Sequence, residues 1–301
     1  MDYGWIVYNG TLPGNKFLDF AEWLQSAAFR AGSKADLVKN NDLLVTLETD
    51  GYHLLKPDGL PLPDYVIFTD KDLYLAKQLE LMGIPVYNCA KAIEVSDDKI
   101  ASHQTLAKYK LPMPRTIVAP MTFLKDTPVN ETQLRRVSET LGFPMIVKEA
   151  FGSFGQQVYL VHHFAELEAC VKDIGGKPFL FQEFVKTSYG LDLRLQVAGD
   201  EVIAAVKRTA VDDFRANVTN GGKMHAYSPT EAECKLAIAA AKAIGCDFAG
   251  VDLLYGEKEP LICEVNSNAH IHNLYDATGV NSSDAIVRDV LKKTRERRKQ
   301  L

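Results

Sequence analysis

The amino-acid sequence predicts an α/β protein built from three consecutive units, residues 1–95, 96–185 and 186–301. The first unit alternates short apolar strands with amphipathic helices, the pattern of a mostly parallel sheet whose faces are covered. In the second, a strand ending in lysine leads into a glycine-bearing loop and a further strand. The third carries two strand pairs, each joined by a short turn.

Taken in order, WIVY reads as a strand, FLDFAEWLQSAAFRAG as a helix and PDYVIFTD as the next strand. DLYLAKQLELMG then reads as a helix closing at Gly83, followed by the strand IPVYN. No G-x-G-x-x-G follows the first strand, so dinucleotide binding has no support. The second unit opens near SDDKIASHQTLAKYKLPMP, with Ser96 as the expected N-cap and Pro112 and Pro114 as the expected stop. Beyond it come the strand in LGFPMIVKEA, the segment FGSFGQQVYLV, a helix around FAELEACVKDIGG and the strand FLFQEFV. LDLRLQVAGDEVIAAVKR reads as two strands joined by AGDE. The helix TEAECKLAIAAAKAIG and the strands AGVDLLY and PLICEVN complete the chain. The basic tail KKTRERRKQ is expected to be a solvated helix end, whose cations suit the helix dipole.

Composition bounds the function. The chain has 301 residues, 47% hydrophobic and 24% charged, with a formal net charge of −5. That acidic balance argues against nucleic-acid or anionic-membrane partners, which require a basic surface. No apolar run reaches the roughly 20 residues of a membrane span, and the N-terminus lacks a secretory pattern, so a cytoplasmic location is expected. The five cysteines are scattered, odd in number and form no C-x-x-C pair, which suits reduced, mostly buried thiols.

Chemistry concentrates in two places. Lys148 ends a strand immediately before Gly152, Ser153 and Gly155, and such a loop can fold backbone donors over phosphates. The same pattern also describes a plain hairpin. Asp252 lies on one strand, with Glu264 and Asn266 on the next, joined by the turn GEKEP. Antiparallel pairing can bring the three onto one face, and oxygen ligands without cysteine favour a hard cation such as magnesium. An amphipathic hairpin with a polar outer face is the competing reading. Glu264, Asn266, Asn268, His270 and His272 also alternate, so a strand continuing to His272 would put all five on one surface. His270 and His272 lack partners at zinc spacing.

In order along the chain stand Lys99 in a DK pair, Lys148 before the glycine loop, QEFV, GLDLR, FRAN followed by GG, GVDLL and EVN. Together these resemble the ATP-grasp ligases, and most closely the RimK-like glutamate ligases, over roughly residues 85–290. The resemblance implies an N-terminal pre-ATP-grasp domain (1–95) and two lobes (96–185 and 186–301) clasping ATP. It implies that Lys99 and Lys148 hold phosphates and that Ser153 belongs to the covering loop. Gln182, Glu183, Phe184 and Val185 would line the adenine pocket, with Glu183 accepting from the exocyclic amine. Asp192 would meet the ribose, and Arg208, Arg215, Ala216 and Asn217 the triphosphate and acyl phosphate. Asp252, Glu264 and Asn266 would bind two Mg2+ ions, with Mn2+ able to substitute.

The expected function is therefore an ATP-dependent carboxylate–amine ligase working through an acyl phosphate, with a carboxylate and an amine (an amino acid, peptide or protein terminus) as substrates. The alternatives are a nucleotide-binding sensor or regulatory subunit and an ATP-grasp phosphotransferase. Homo-oligomerisation is left open. One segment departs from the family. Relatives follow EVN with a small residue and Ser-Pro-Gly, whereas this chain has SNAHIHN. Proline fixes φ and glycine relaxes it, so their loss reshapes the backbone there. Asn268, His270 and His272 are accordingly expected to help select the acceptor.

Overall fold

The computed structural model describes residues 1–122, 129–152, 155–216 and 222–300. Its N-terminal unit contains β1 (Tyr3–Tyr8), α1 (Lys16–Arg30), β2 (Lys34–Lys39), β3 (Leu44–Glu48), β4 (Gly51–Leu55), β5 (Tyr65–Phe68), α2 (Leu73–Leu81), β6 (Val86–Tyr87) and α3 (Ala90–Asp97). β1, β2, β5 and β6 form the expected parallel sheet in the order β2-β1-β5-β6. β1 and β5 are buried almost end to end, which is why they read as continuous apolar runs. β2 was not legible because its ends are lysines on a sheet edge. The β3–β4 hairpin escaped notice too, since most of its residues are exposed and no apolar alternation marks it.

The second unit runs α4 (Lys99–Lys108), β7 (Thr116–Val118), α5 (Glu131–Leu141), β8 (Met145–Glu149), β9 (Val158–Val161), α6 (Phe164–Ile174) and β10 (Phe179–Glu183). Its four strands make an antiparallel sheet in the order β7-β10-β8-β9. Ser96 is not the N-cap: it lies inside α3, where its hydroxyl donates to Ile93 O (3.1 Å). Asp98 caps α4 instead, accepting from the Ile100 and Ala101 amides at 2.8 and 3.2 Å. A carboxylate satisfies two orphan donors and complements the dipole, so it outcompetes the nearby serine. The helix also ends at Lys108, before either proline, and Lys110 turns the chain with φ of 57°.

The third unit comprises β11 (Leu191–Ala198), β12 (Glu201–Thr209), β13 (Lys223–Ala226), α7 (Glu231–Ile244), β14 (Phe248–Tyr255), β15 (Pro260–Asn266), α8 (His272–Thr278) and α9 (Ser282–Arg298). The strands form an antiparallel sheet in the order β13-β12-β11-β14-β15. α7 starts at a capping box, Thr230 with Glu233, and ends at Gly245 in the left-handed region. Its small residues Ala237, Ala240 and Ala241 pack with Leu195, Val251 and Val265 of the sheet. Ala92, Val95 and Leu106 of α3 and α4 join the same core.

Two expectations need correction here. The alternation beginning at Glu264 is not one strand: β15 stops at Asn266, and His272 opens α8. Nor is the basic tail simply solvated. α9 packs its Ile286, Val290 and Leu291 into the N-terminal core beside Ile6, Phe20 and Leu24. Arg295 and Arg298 both donate to Asp2 (2.9 and 2.8 Å), and Arg298 also reaches Asp64 at 2.6 Å. The dipole argument placed cations correctly but could not see the carboxylates waiting for them. All five cysteines are free; Cys246 is buried and the others are half-buried. Among the described residues no helix is long and apolar enough to cross a membrane.

Candidate active site

A cavity of about 570 Å³ opens between the two antiparallel sheets and is closed on a third side by the N-terminal unit. Lys99, Lys148, Gln182, Glu183, Phe184, Val185, Asp192, Arg208, Arg215, Ala216, Asp252, Glu264, Asn266, Asn268 and His270 all line it. His272 is not among its lining residues. Ser153 and Asn217 lie outside the described residues.

The two lysines approach from one lobe. Lys148 lies opposite Leu180 of β10, and its Nζ reaches across to Cys263 Sγ of β15 at 4.0 Å. Lys99, the first residue of α4, donates to Gly152 O at 3.0 Å. Burial pushes the Lys99 pKa down, with the Glu264 charge opposing the shift. Arg215 of the other lobe donates to Gly155 O at 2.6 Å while also chelating Asp213. The glycine-bearing loop is thus held at both described ends by cations. Gly152 has φ of 138°, which a side chain would strain.

The carboxylates are set by strand register. Asp252 pairs directly with Glu264, and Gly250 with Asn266, so all four share one face of β14–β15, as expected. The register slips between Asp252 and Leu253, letting the adjacent Cys263 and Glu264 both line the cavity. Gly250 is required: a Cβ there would meet Ala269 Cβ at 2.5 Å and push the 267–271 segment away. Asn266 Nδ2 donates to Gly250 O at 3.4 Å. The Asn266 Oδ1 and the Glu264 carboxylate make no hydrogen bond or ion pair among the described residues. Asp252 differs. Arg194 grips both its oxygens at 2.7 Å, and Arg208 adds a third bond at 2.8 Å. Burial alone would raise the Asp252 pKa, but the two guanidiniums hold it below the usual range.

Arg208 is the hub of this cluster, since its fork also holds Asp192 at 2.6 and 2.7 Å. Burial opposes its charge, yet Asp252 and Asp192 keep it firmly protonated. Asp192, expected at the ribose, therefore spends both oxygens on Arg208. Glu183, expected at the exocyclic amine, accepts the Arg115 amide on Oε1 at 2.8 Å. His270 Nε2 hydrogen-bonds Lys16 O of α1, and His272 Nδ1 meets Asp19 Oδ2 at 2.7 Å while its ring lies 5.2 Å from that of Trp23.

Residues 96–290 match the RimK-like ATP-grasp domain. The chain belongs to the RimK-like ATP-grasp family. It is 34% identical to a probable alpha-L-glutamate ligase of Legionella pneumophila (strain Corby) over 256 residues, covering 79% of this chain and 80% of that protein. It is also 34% identical to a probable alpha-L-glutamate ligase of Parasynechococcus marenigrum over 223 residues, 73% of this chain. That match spans 46% of the Parasynechococcus protein, so this chain covers about half of that relative. Among solved structures, the ATP-grasp ligase PsnB complexed with a phosphomimetic variant of its minimal precursor, Mg and ADP superposes with a TM-score of 0.69. That structure is 17% identical in sequence, and the superposition covers 98% of this chain and 99% of that one.

Several residues of this RimK-like site were missed in the sequence. Arg194 stands in GLDLR two residues after Asp192, and that i, i+2 spacing is the signal that puts it on the same strand face. Asn88 is buried and saturates both ends of its amide, donating to Phe248 O and Ser267 O and accepting from the Asp247 and Phe248 amides. It pins the start of β14 and the SNAHIHN segment together. Nothing local in IPVYN signals that role. His103 and Lys16 were equally silent, because each acts through contacts far away in sequence.

Proposed function

We propose that the protein is an ATP-dependent carboxylate–amine ligase that requires Mg2+ and forms an amide through an acyl phosphate. The supporting observation is the convergence in one cavity of two lysines and a glycine loop from one lobe with an oxygen-donor face from the other. Lys99 and Lys148 would hold phosphates of ATP, Lys99 exchanging Gly152 O for a phosphate oxygen. Gly152 and Gly155 let the loop bring backbone donors close. Glu264 and Asn266 Oδ1 fit a hard cation as they stand. Asp252 has accepted three of about four lone-pair bonds, which leaves one site on Oδ1. When bound, magnesium would offset the phosphate charge and align the oxygens for in-line transfer.

In the reaction, a substrate carboxylate oxygen bonds to the γ-phosphorus as the bridge to ADP breaks. The amine then adds to the acyl carbon, phosphate leaves and the nitrogen loses its proton. A carboxylate has no adequate leaving group in water, so activation is unavoidable. A closed cavity favours the amine over water. Arg215, which lines the same cavity, would meet the triphosphate and the departing phosphate. The names of the relatives support an amino acid such as glutamate as one substrate, and that of the PsnB complex supports a peptide acceptor.

ADP release should appear when acid and amine are supplied together, with stoichiometric amide. With the amine withheld, hydroxylamine should trap a hydroxamate, and oxygen-18 from the carboxylate should reach the released phosphate. Formation of AMP and pyrophosphate would refute the acyl phosphate. Nucleotide binding with no turnover over a broad screen of acid–amine pairs would favour the sensor reading.

A further inference from the structure

His103 of α4 takes no part in the reaction described above, yet it is only 3% exposed and bonded on both ring nitrogens. Its Nδ1 lies 2.7 Å from Lys99 O, and its Nε2 lies 2.9 Å from the amide nitrogen of Gln182. A carbonyl only accepts, so Nδ1 must carry the ring proton. Burial, reinforced by the Lys148 charge, drives the imidazole pKa down to about 4, so the ring is neutral at neutral pH. Nε2 is then a bare lone pair, able only to accept.

The second partner of Gln182 is equally constrained. Its amide nitrogen also lies 2.8 Å from Thr116 Oγ1, and Thr116 gives its own proton to Pro114 O at 2.9 Å. Thr116 Oγ1 must therefore accept. Both N–H bonds of Gln182 are consumed, and its orientation has a single solution. Oε1 is left as the side chain's one polar atom without a partner among the described residues. Gln182 lines the cavity and pairs with Ile146 in register, on the sheet face that also carries Lys148.

We propose that His103 is a positioning residue that makes the nucleotide site select adenine over guanine. Together with Thr116 it locks the Gln182 amide so that Oε1 faces the base. That oxygen accepts from the 6-amino group of adenine and meets the 6-oxo group of guanine with a like lone pair. An amide freed from His103 would turn over and offer N–H as readily as oxygen. The inference rests on the ATP-using reading and adds to it the residue that fixes base choice. His103 itself touches no nucleotide.

The test is titration calorimetry of the full chain with Mg2+ and the non-hydrolysable imidotriphosphates of adenosine and guanosine, which requires no turnover. The wild-type protein should bind the adenine nucleotide at least about tenfold more tightly, since mismatched buried polar groups are costly. His103→Phe should collapse that ratio to within about threefold. His103→Gln, whose amide oxygen can accept where Nε2 does, should keep most of it. Thr116→Val, close in shape but without the acceptor, should also lower the ratio and serves if the phenylalanine variant does not fold. Equal weakening of both nucleotides at an unchanged ratio would overturn the proposal, because lost packing alone does that. An unchanged ratio in Thr116→Val would overturn it too. Equal affinities in the wild-type protein would remove the relay while leaving the ligase reading intact. Binding of neither nucleotide would remove both.

Discussion

Glu264 and Asn266 project from a strand into the cavity, whereas His270 and His272, a few residues further on, are spent on the N-terminal helix α1. In the sequence the four form one polar row at alternate positions. In the fold β15 ends between the pairs, and the chain turns across Gly250 toward Lys16, Asp19 and Trp23. Among the described residues, the first pair keeps free oxygens facing the cavity. The second pair ties the cavity wall to α1 of the N-terminal unit. Equal spacing therefore conceals two jobs, one electrostatic and one architectural.

The largest effect that can test this division is on turnover. Glu264→Ala should lower kcat at least about a hundredfold, the scale of losing one strong electrostatic contact. Because Glu264 has no bonded partner to orphan among the described residues, the melting temperature of the variant should stay near that of the wild type. Asp252→Ala should lower turnover similarly but also destabilise the fold by about 3–5 kcal/mol, since it leaves Arg208 buried with one carboxylate fewer. Denaturant unfolding of both variants distinguishes them. Equal stability would mean that the Arg194–Asp252–Arg208 cluster contributes little to folding. Complete chelation of divalent ions with activity retained would dispose of the metal assignment.

A smaller effect is expected at the glycine loop. Lys99 and Arg215 hold Gly152 O and Gly155 O, and phosphate contacts should add to that order. Hydrogen exchange at 151–157 should slow on adding a non-hydrolysable ATP analogue with Mg2+. Equal protection in both states would reduce the glycines to a hairpin turn.

The histidines should give the mildest phenotypes, and unequal ones. His270 lines the cavity, so His270→Ala should raise KM for the acceptor several-fold with ATP affinity nearly unchanged. His272→Ala should act only through docking to α1. Their pH dependences oppose each other. The hydrogen bond to Asp19 raises the His272 pKa, so its contribution is fully present below about 6.5 and is lost as pH rises through the raised folded value. Burial lowers the His270 pKa, so its contribution is present above about 6.5 and is lost as pH falls through the lowered value. Docking of the segment should therefore be firmest near the ordinary histidine range. Hydrogen exchange at 268–273 against pH reads this directly, and Asp19→Asn should abolish the alkaline limb only. A flat profile would show that packing against Trp23 and Phe20, not charge, holds the segment.

The contrast extends to how the protein can be read. Strands buried on both faces, β1, β5 and β8, announce themselves as apolar runs because their only requirement is to exclude water. The Asp252–Glu264 pairing was legible for a similar reason. A short turn fixes antiparallel register, and register fixes which side chains share a face. The family motifs likewise pointed to Lys99, Lys148, Asp252, Glu264 and Asn266, which line one cavity. β2 and the β3–β4 hairpin were hidden because their exposed residues satisfy local geometry without a hydrophobic period, whereas α5 does carry one, with Leu134, Val137 and Leu141 at helical spacing. Ser96 failed as a cap because Asp98, two residues on, was the stronger acceptor.

What the sequence determined by itself was the order of elements and the kinds of atom brought to the site, since these follow from local periodicity and from side-chain chemistry. Which of those atoms are available was decided by tertiary structure alone. Asp252 and Glu264 are both carboxylates on paired strands, but Arg194 and Arg208 arrive from β11 and β12 to occupy one and leave the other open. His103 is a lone histidine in a helix until Lys99 O and Gln182 close on its two nitrogens. A hydrogen bond or ion pair is short-ranged and directional, so its partner is chosen by the last few ångströms of packing, and no spacing along the chain encodes that choice.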